Sequence, residues 1–296
     1  MLELTSPLLI CDIGAALHGE KATWHHMVES GCATVIGFEP EEKAFAELQK
    51  LGDGYEILPY VIADGKPGTF HLNHFAETSS LLPTNRDFVK RYQALPDLMT
   101  TKSRSPCETK TLDDALGDRK LDLLKVDVQG MTLPLLEHAP KVLASYPLIE
   151  CEVEFQPLYK DQALFAEVDQ FMRSQGYMLL KLQPPKPIYF EPKTFADGNN
   201  PRLGQTAWSD AIYVADHDKI DELDQQQLER LVVLSLLWYG CYDFACSLMY
   251  RIDRRFGTDK LLRFGEAMRD GTPLSITIGD VTLTLPSFWE NMEVPG

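Results

Sequence analysis

The hydrophobic pattern near the start of the chain predicts a β-strand, a helix and a second β-strand. Two short apolar runs, residues 8–13 and 34–38, flank a segment of mixed polar and apolar residues. Neither run is long enough for a buried helix. Each run has an acid close to its end, Asp12 in the first and Glu39 just after the second. This order is typical of a βαβ unit whose strand ends and first turn face a ligand.

The same alternation of strand and helix patterns continues to about residue 215. The predicted strands are residues 55–63, 69–73, 121–128, 148–155, 177–182 and 208–214, and the predicted helices are residues 22–30, 41–50, 133–144 and 162–174. Polar, proline-containing segments at 77–106 and 183–205 are predicted to be loops, the first with a short helix at 87–95. Because strands and helices alternate, we predict an α/β fold with a doubly wound, mostly parallel sheet.

The pattern changes after residue 216. Residues 219–252 place apolar side chains at helical spacing, and residues 275–284 alternate as a terminal hairpin would. We therefore predict two parts, an α/β domain at 1–216 and a helical extension at 217–296. The extension is expected to cap the sheet or to form a homodimer surface.

The composition disfavours several classes of partner. The 296 residues include 28 basic and 44 acidic side chains, for a net charge of −16. Nucleic acids and anionic membrane surfaces attract basic faces, so neither is expected as a partner. No apolar run approaches the roughly 20 residues of a membrane span, and no signal-peptide pattern is present at the start. The 6 cysteines form no C-x-x-C pair, which predicts a reducing, cytoplasmic location and no metal site.

The predicted turn after the first strand carries very small side chains. Gly14 and Ala15 allow the backbone to approach a ligand closely, and the next helix, expected to begin near Glu20, would point its free N–H groups at the same crevice. Glu39 stands where an acid can accept two hydrogen bonds from a ribose diol. The later glycines of G-x-G-x-x-G are missing, so a nucleoside without a diphosphate fits better than NAD. A structural turn with a solvated acid is the alternative.

Acidic residues also stand at later strand ends and along one strand. Asp127 closes a predicted strand, and Asp64 follows another. One strand carries acids at every second position: Glu150, Glu152 and Glu154. In a central strand, three carboxylates on one face would need partners, and the cost of burying them would indicate a functional use. His71, on the short strand at 69–73, is a further candidate.

Six segments occur in an order that resembles a known family. They are residues 12–15 (DIGA), 37–40 (GFEP), 78–81 (TSSL), 124–130 (LKVDVQG), 149–159 (IECEVEFQPLY) and 208–211 (WSDA). Together they resemble the FkbM family of S-adenosylmethionine-dependent methyltransferases, over about residues 8–215.

This resemblance implies a Rossmann-like fold of the class I methyltransferase type and S-adenosylmethionine as the cofactor. The residues that it implies for cofactor binding are Asp12, Gly14 and Ala15 at the turn, Glu39 at the ribose, Ala63 and Asp64 by the adenine, and Asp127 by the methionine part or the substrate. Two departures from the family are visible. Ala16 and His18 stand where the family usually keeps an Asn and a Gly, and Thr132 stands where it commonly has an acid. If that acid contributes to catalysis, this protein is altered or acts on an unusual acceptor.

The resemblance implies O-methylation of a hydroxyl on a sugar or another small molecule. Because the sulfonium of the cofactor is already activated, the protein needs mainly to exclude water, align the reactants and remove a proton. The candidates for the proton acceptor are Asp127, which we place first, Glu152, Glu154 and, from the loop side, His71 or His74. The alternative is a catalytically inactive module that binds another protein through its C-terminal helices, and the departures at Ala16, His18 and Thr132 favour it.

Overall fold

The computed structural model describes residues 2–15, 24–192 and 204–285. Its strands are β1 (Leu2–Leu4), β2 (Leu8–Ile13), β3 (Ala33–Phe38), β4 (Tyr55–Leu58), β5 (Val61–Ile62), β6 (Gly68–Asn73), β7 (Thr101–Cys107), β8 (Thr109–Lys110), β9 (Leu123–Val126), β10 (Leu148–Glu154), β11 (Tyr177–Leu182), β12 (Lys186–Ile188), β13 (Gln205–Ala215), β14 (Leu274–Ile278) and β15 (Val281–Leu285). Its helices are α1 (His25–Glu29), α2 (Glu42–Leu48), α3 (Arg86–Val89), α4 (Leu95–Leu98), α5 (Leu112–Leu116), α6 (Thr132–Glu137), α7 (Pro140–Leu143), α8 (Phe165–Ser174), α9 (His217–Ile220), α10 (Gln225–Leu237), α11 (Tyr242–Phe256) and α12 (Lys260–Asp270).

The central sheet has the strand order β11-β13-β10-β9-β2-β3-β4, with β12 paired to β13. Strands β4, β3, β2, β9 and β10 run parallel, and β13 runs antiparallel to its neighbours β10 and β11. Strands β2 and β9 are mostly apolar because both of their faces are covered, as is usual for parallel strands. The prediction of a Rossmann-like, doubly wound and mostly parallel sheet is confirmed.

Helices cover both faces of this sheet. Helices α5 to α8 share a core with one face. On the other face, α1 and α9 to α12 share a single core with β1, β14 and the central strands. The expected hairpin at the end is observed as β14 and β15, and β14 also pairs in parallel with β1. In the ranges that the structure describes, no helix combines the length and apolarity needed to cross a bilayer.

A partly buried ion pair joins the extension to the amino end of the sheet. Arg230 on α10 donates to Asp122 at 2.7 Å, and both side chains are 15% exposed. The same guanidinium donates to the backbone carbonyls of Ser6 and Pro7, just before β2. Helix α10 is therefore fixed against the residues that directly precede β2 and β9.

A small third core lies under the segments that follow β6 and β10. It contains Tyr92, Met99, Tyr159 and Ile188. The prediction that residues 77–106 form a loop with one helix is wrong, since the segment contains α3, α4 and most of β7. Strand β7 carries the sequence TKSRSPC and is mostly exposed, so it has no apolar alternation from which a strand could be predicted.

Two predicted elements are interrupted where proline removes a backbone donor. Pro59 separates β4 from β5, and β5 pairs with β8 outside the central sheet, so residues 55–63 are not one strand. The predicted helix at 133–144 is divided into α6 and α7, with Pro140 in the first turn of α7. The segment 219–252, which was predicted to be helical, consists of three separate helices, α9, α10 and α11, and no proline divides them.

Candidate functional site

The carboxyl ends of β2 and β9 meet around the ammonium group of Lys125. Parallel pairing sets Lys125 beside Asp12, and the backbone N–H of Asp127 donates to the carbonyl of Ile13 at 3.0 Å. Lys125 Nζ lies 3.8 Å from Asp12 Oδ1 and 3.8 Å from Asp127 Oδ2. Asp12 is buried, whereas the Asp127 side chain is 36% exposed. Two of the predicted acids are therefore brought together, and one of them is open to solvent.

Burial and charge together set the protonation of this group. Burial raises the pKa of Asp12 to about 6, and the nearby charge of Lys125 opposes that rise. Burial acts to lower the pKa of Lys125, but the surrounding carboxylates outweigh it, and the net shift of that pKa is upward. These carboxylates are Asp12, Asp127, Glu150 and Asp210. Lys125 is therefore a cation enclosed by acids.

Gly14 joins the ends of three strands. Its φ is +83°, and a Cβ added there would lie 2.2 Å from the carbonyl oxygen of Asp127. The backbone N–H groups of Gly14 and Ala15 donate to the carbonyl of Phe38 at 3.1 and 3.3 Å. Because no side chain fits between this turn and β9, glycine is required at position 14.

Glu39 lies at the same edge, directly after β3. It is 6% exposed, and its Oε1 accepts a hydrogen bond from the backbone N–H of Glu41 at 2.8 Å. Its own N–H donates to the carbonyl of Leu58 at the end of β4. Because the carbonyl of Phe38 accepts hydrogen bonds from the turn at Gly14, the next residue, Glu39, lies beside that turn.

The side chain of Gln129 connects two of the predicted acids. Its Nε2 donates to Asp127 Oδ1 at 3.0 Å and to Glu152 Oε1 at 2.9 Å. The residue has a positive φ of 49°, which turns the chain sharply after β9. A neutral amide between two carboxylates stabilises their approach, because it donates to both.

Two residues from the small third core and its neighbourhood fix this amide. Tyr159 donates its hydroxyl to Gln129 Oε1 at 2.9 Å, which leaves Nε2 directed at the acids. Ser80 Oγ donates to the Gln129 carbonyl at 2.6 Å. The segment around residues 78–81 therefore contacts the carboxyl edge of the sheet.

The three alternating acids lie on one face of a central strand. Each has a different environment: Glu150 accepts from the hydroxyl of Tyr239 at 2.7 Å, Glu152 accepts from Gln129, and Glu154 Oε1 makes no hydrogen bond within the described ranges. Burial raises the pKa of Glu152, and Asp127 and Glu154 raise it further. Burial likewise raises the pKa of Glu154, to about 8.

Because of Glu154, we expect the free energy of unfolding to fall as pH rises from about 4.5 to about 8. In this window the folded state keeps a proton on Glu154 that the unfolded chain has released, so raising the pH favours unfolding. Glu154→Gln keeps the shape and removes the titration, so its pH dependence should be flatter. Urea denaturation across this range measures both curves.

Asp12 titrates in both proteins, so the difference between the curves reports Glu154 together with its effect on the pKa of Glu152. Glu47→Gln, an exposed substitution on α2, is the matched control and should follow the wild-type curve. Parallel curves for Glu154→Gln and the wild type would contradict the assignment.

The remaining predicted residues lie around this centre. Ala63 and Asp64 follow β5, and Asp64 is held by the backbone and ammonium of Lys66. His71 lies buried on β6, pairs through its backbone with Ser80, and its Nδ1 makes no hydrogen bond among the described residues. Burial, followed by the charge of Arg104, lowers the pKa of His71.

The departures from the family pattern have different outcomes. Thr132 is buried and donates its hydroxyl to the Glu152 carbonyl at 2.9 Å, so it fills a structural position beneath β10. Ala16, His18 and the expected helix start near Glu20 lie outside the described residues.

Sequence reasoning assigned no role to Lys125, Gln129 or Tyr159. A signal for Lys125 was present, because it shares the period-two face of its strand with Asp127 and interrupts an apolar run. No local pattern indicates that Gln129 bridges Asp127 and Glu152, because Glu152 lies 23 residues beyond Gln129 in the sequence.

Comparisons with known proteins identify the matched segment. The model of the methyltransferase FkbM domain matches residues 12–179, more than half of the 296 residues. Magnesium protoporphyrin IX methyltransferase from Synechocystis PCC 6803, solved with bound SAM, is 13% identical over 72% of this chain and 72% of that chain, with a TM-score of 0.34. Methyltransferase FkbM from Methylobacillus flagellatus KT is 13% identical over 72% of this chain and 44% of that chain, with a TM-score of 0.41. No curated protein matches the chain.

Proposed function

The chain belongs to the FkbM methyltransferase family, and from this premise we propose that it transfers a methyl group from S-adenosylmethionine to a hydroxyl oxygen of a sugar or another small molecule. The cofactor is the one expected from the family. The observation that carries the proposal is the convergence of Asp12, Gly14 and Asp127 at one sheet edge, around Lys125.

The residues at this edge fit the cofactor. Asp12 Oδ1 is buried and makes no hydrogen bond within the described ranges, although Lys125 lies 3.8 Å away. The close approach at Gly14 leaves the turn without side-chain bulk. Asp127 presents a partly exposed carboxylate beside that turn. When bound, S-adenosylmethionine supplies an activated methyl group, and its positive charges suit an edge lined by carboxylates.

Each residue has a proposed role in binding. Asp12, Gly14 and Ala15 hold the methionine side, and Asp127 orients the methionine part or the acceptor. The adenosine side is assigned to Glu39 at the ribose and to Ala63 and Asp64 at the adenine.

The proton of the acceptor hydroxyl needs a base at the reacting oxygen. Asp127 is our first choice because it is both exposed and anchored by Gln129. Glu152 accepts a hydrogen bond from the same Gln129 amide. His71 pairs through its backbone with Ser80, which in turn contacts the chain at Gln129. Assays of Asp127→Asn, Glu152→Gln and His71→Ala against one acceptor rank the three, because only loss of the base removes the acidic limb of the pH–rate profile, on which activity rises as the base loses its proton.

The proposal is tested in two steps. Calorimetry with S-adenosylmethionine and S-adenosylhomocysteine first measures cofactor binding, and absence of both would refute the proposal. A screen with cofactor carrying a tritiated methyl group then measures transfer to sugars and other small hydroxyl compounds. Tight cofactor binding without transfer to any acceptor would favour the non-catalytic scaffold instead.

Replacing Glu39 with alanine should weaken S-adenosylhomocysteine binding by roughly 10- to 100-fold. The charge-assisted hydrogen bonds to the ribose would be lost, and this range corresponds to about 1.4–2.7 kcal/mol, close to the value of one such bond, because water would replace part of what is lost. Calorimetry provides the dissociation constants. Glu41→Ala, which removes a neighbouring carboxylate that caps α2, is the control and should bind normally. Unchanged affinity in Glu39→Ala would remove the ribose assignment.

Two further proposals concern assembly and location. Tyr250, Phe256 and Leu262 are exposed on or at the ends of α11 and α12 and support a homodimer through these helices, which light scattering of the purified protein would detect. The six free cysteines support a cytoplasmic location.

A further inference from the structure

Tyr239, a residue of the helical extension, contacts one of the carboxylates that surround Lys125. This residue follows α10 and is 4% exposed. Its hydroxyl donates to Glu150 Oε2 at 2.7 Å, and its carbonyl accepts from Lys181 Nζ at 3.3 Å. Tyr239 lies outside residues 12–179, the segment that the family model matches.

Glu150 in turn stands beside Lys125. The two residues are paired between β10 and β9, and their side chains act on each other electrostatically. Burial raises the pKa of Glu150, while the hydrogen bond from Tyr239 acts to lower it. The tyrosine hydroxyl thus favours the charged form of a carboxylate that is otherwise poorly solvated.

The adjacent residue of the extension, Trp238, contacts a ring that lies near the same lysine. Trp238 stacks on Trp24, with ring centroids 5.9 Å apart and planes at 18°. Lys125 Nζ lies 5.8 Å from the centroid of the Trp24 ring. Two consecutive residues of the extension, Trp238 and Tyr239, therefore each contact a direct neighbour of Lys125: Trp24 in one case and Glu150 in the other.

We propose that Tyr239 is a positioning residue of the cofactor site: by binding Glu150, its hydroxyl leaves the Lys125 ammonium to Asp12 and Asp127. The proposal rests on the proposed function, because it takes Asp12 and Asp127 to face the cofactor. One ammonium group cannot satisfy every carboxylate around it at once. A neutral donor from the extension supplies the partner that Glu150 needs.

Removing this hydroxyl makes the carboxylates compete. In Tyr239→Phe, Glu150 keeps its buried position but loses its donor, and the cation that already acts on it is Lys125. Movement of Lys125 toward Glu150 would release Asp12 and Asp127 from their present arrangement. Neutralising Glu150 should then remove the competition and restore the site.

The experiment compares four proteins by calorimetry with S-adenosylhomocysteine. Tyr239→Phe should bind about 3- to 10-fold more weakly than the wild type, and Tyr239→Phe/Glu150→Gln should return to within about twofold of it. Tyr250→Phe, which removes an exposed hydroxyl on α11 that faces Arg254, is the control and should bind as the wild type does.

The outcomes separate this proposal from the proposed function. If the wild type fails to bind, the proposed function is lost; if it binds and Tyr239→Phe binds equally well, the positioning role is lost. A double variant as weak as Tyr239→Phe would show that the tyrosine acts only through packing. Should Tyr239→Phe not fold, Glu150→Gln alone decides, because the proposal requires it to bind as tightly as the wild type and a tenfold loss contradicts it.

Discussion

Replacing Gly14 with alanine should weaken S-adenosylhomocysteine binding by roughly 100-fold. An alanine Cβ would lie 2.2 Å from the Asp127 carbonyl oxygen, and the φ of +83° is unfavourable for any residue with a side chain. The turn would have to move away from β9, which would displace the backbone that we assign to the cofactor. Titration calorimetry of the purified variant measures the loss directly.

Gly52→Ala separates the clash from the backbone strain. Gly52 has nearly the same φ, +85°, but a Cβ added there would meet nothing within 4 Å. It should cost stability of about 1 kcal/mol or more through the strained φ and leave the dissociation constant unchanged. If both variants bind equally, the close approach at Gly14 does not shape the cofactor site.

Replacing Lys125 with methionine should lower the free energy of unfolding by about 3–5 kcal/mol at pH 8, because buried carboxylates lose their counter-ion. The loss should be smaller at pH 5. Burial already raises the pKa of Asp12 to about 6 with the lysine in place, so Asp12 takes up a proton at pH 5 and no longer needs a cation. Urea denaturation at the two pH values measures the difference.

Lys120→Met is the matched control for this experiment. It removes an exposed lysine shortly before the same strand, β9, and should change stability by less than about 0.5 kcal/mol at either pH. A Lys125→Met protein as stable at pH 8 as at pH 5, relative to the wild type, would contradict the counter-ion role. Such a result would mean that the acids are satisfied by other groups.

The parts of this site that lie at strand ends could be predicted from the sequence. Asp12, Glu39 and Asp127 each stand at or just beyond the end of an apolar run, and parallel strands bring their carboxyl ends to one edge. The face shared by Glu150, Glu152 and Glu154 could also be predicted, because strand periodicity is a local property. The central position of that strand depends on topology and became clear only from the structure.

The partners of these acids could not be predicted, because they come from distant parts of the chain. Tyr239 binds Glu150 across 89 residues, and Arg230 binds Asp122 across 108. Hydrophobic periodicity carries no information about such pairs. The polar strand β7 was missed for a related reason, since it is recognised by its backbone pairing with β6 and not by its own side chains, which are mostly exposed.

The pairing of β1 with β14 makes residues from opposite ends of the described chain neighbours in one small sheet. On the ribosome, Leu2 and Leu4 emerge early, yet the strand that pairs with them is synthesised only after the whole central sheet. Until then these leucines, which are buried in the complete fold, lack their strand partner, although the central strands and α10 of the same core precede β14 in the chain. The hydrogen bonds of β1 to β14 can therefore form only after nearly all of the described chain has been synthesised.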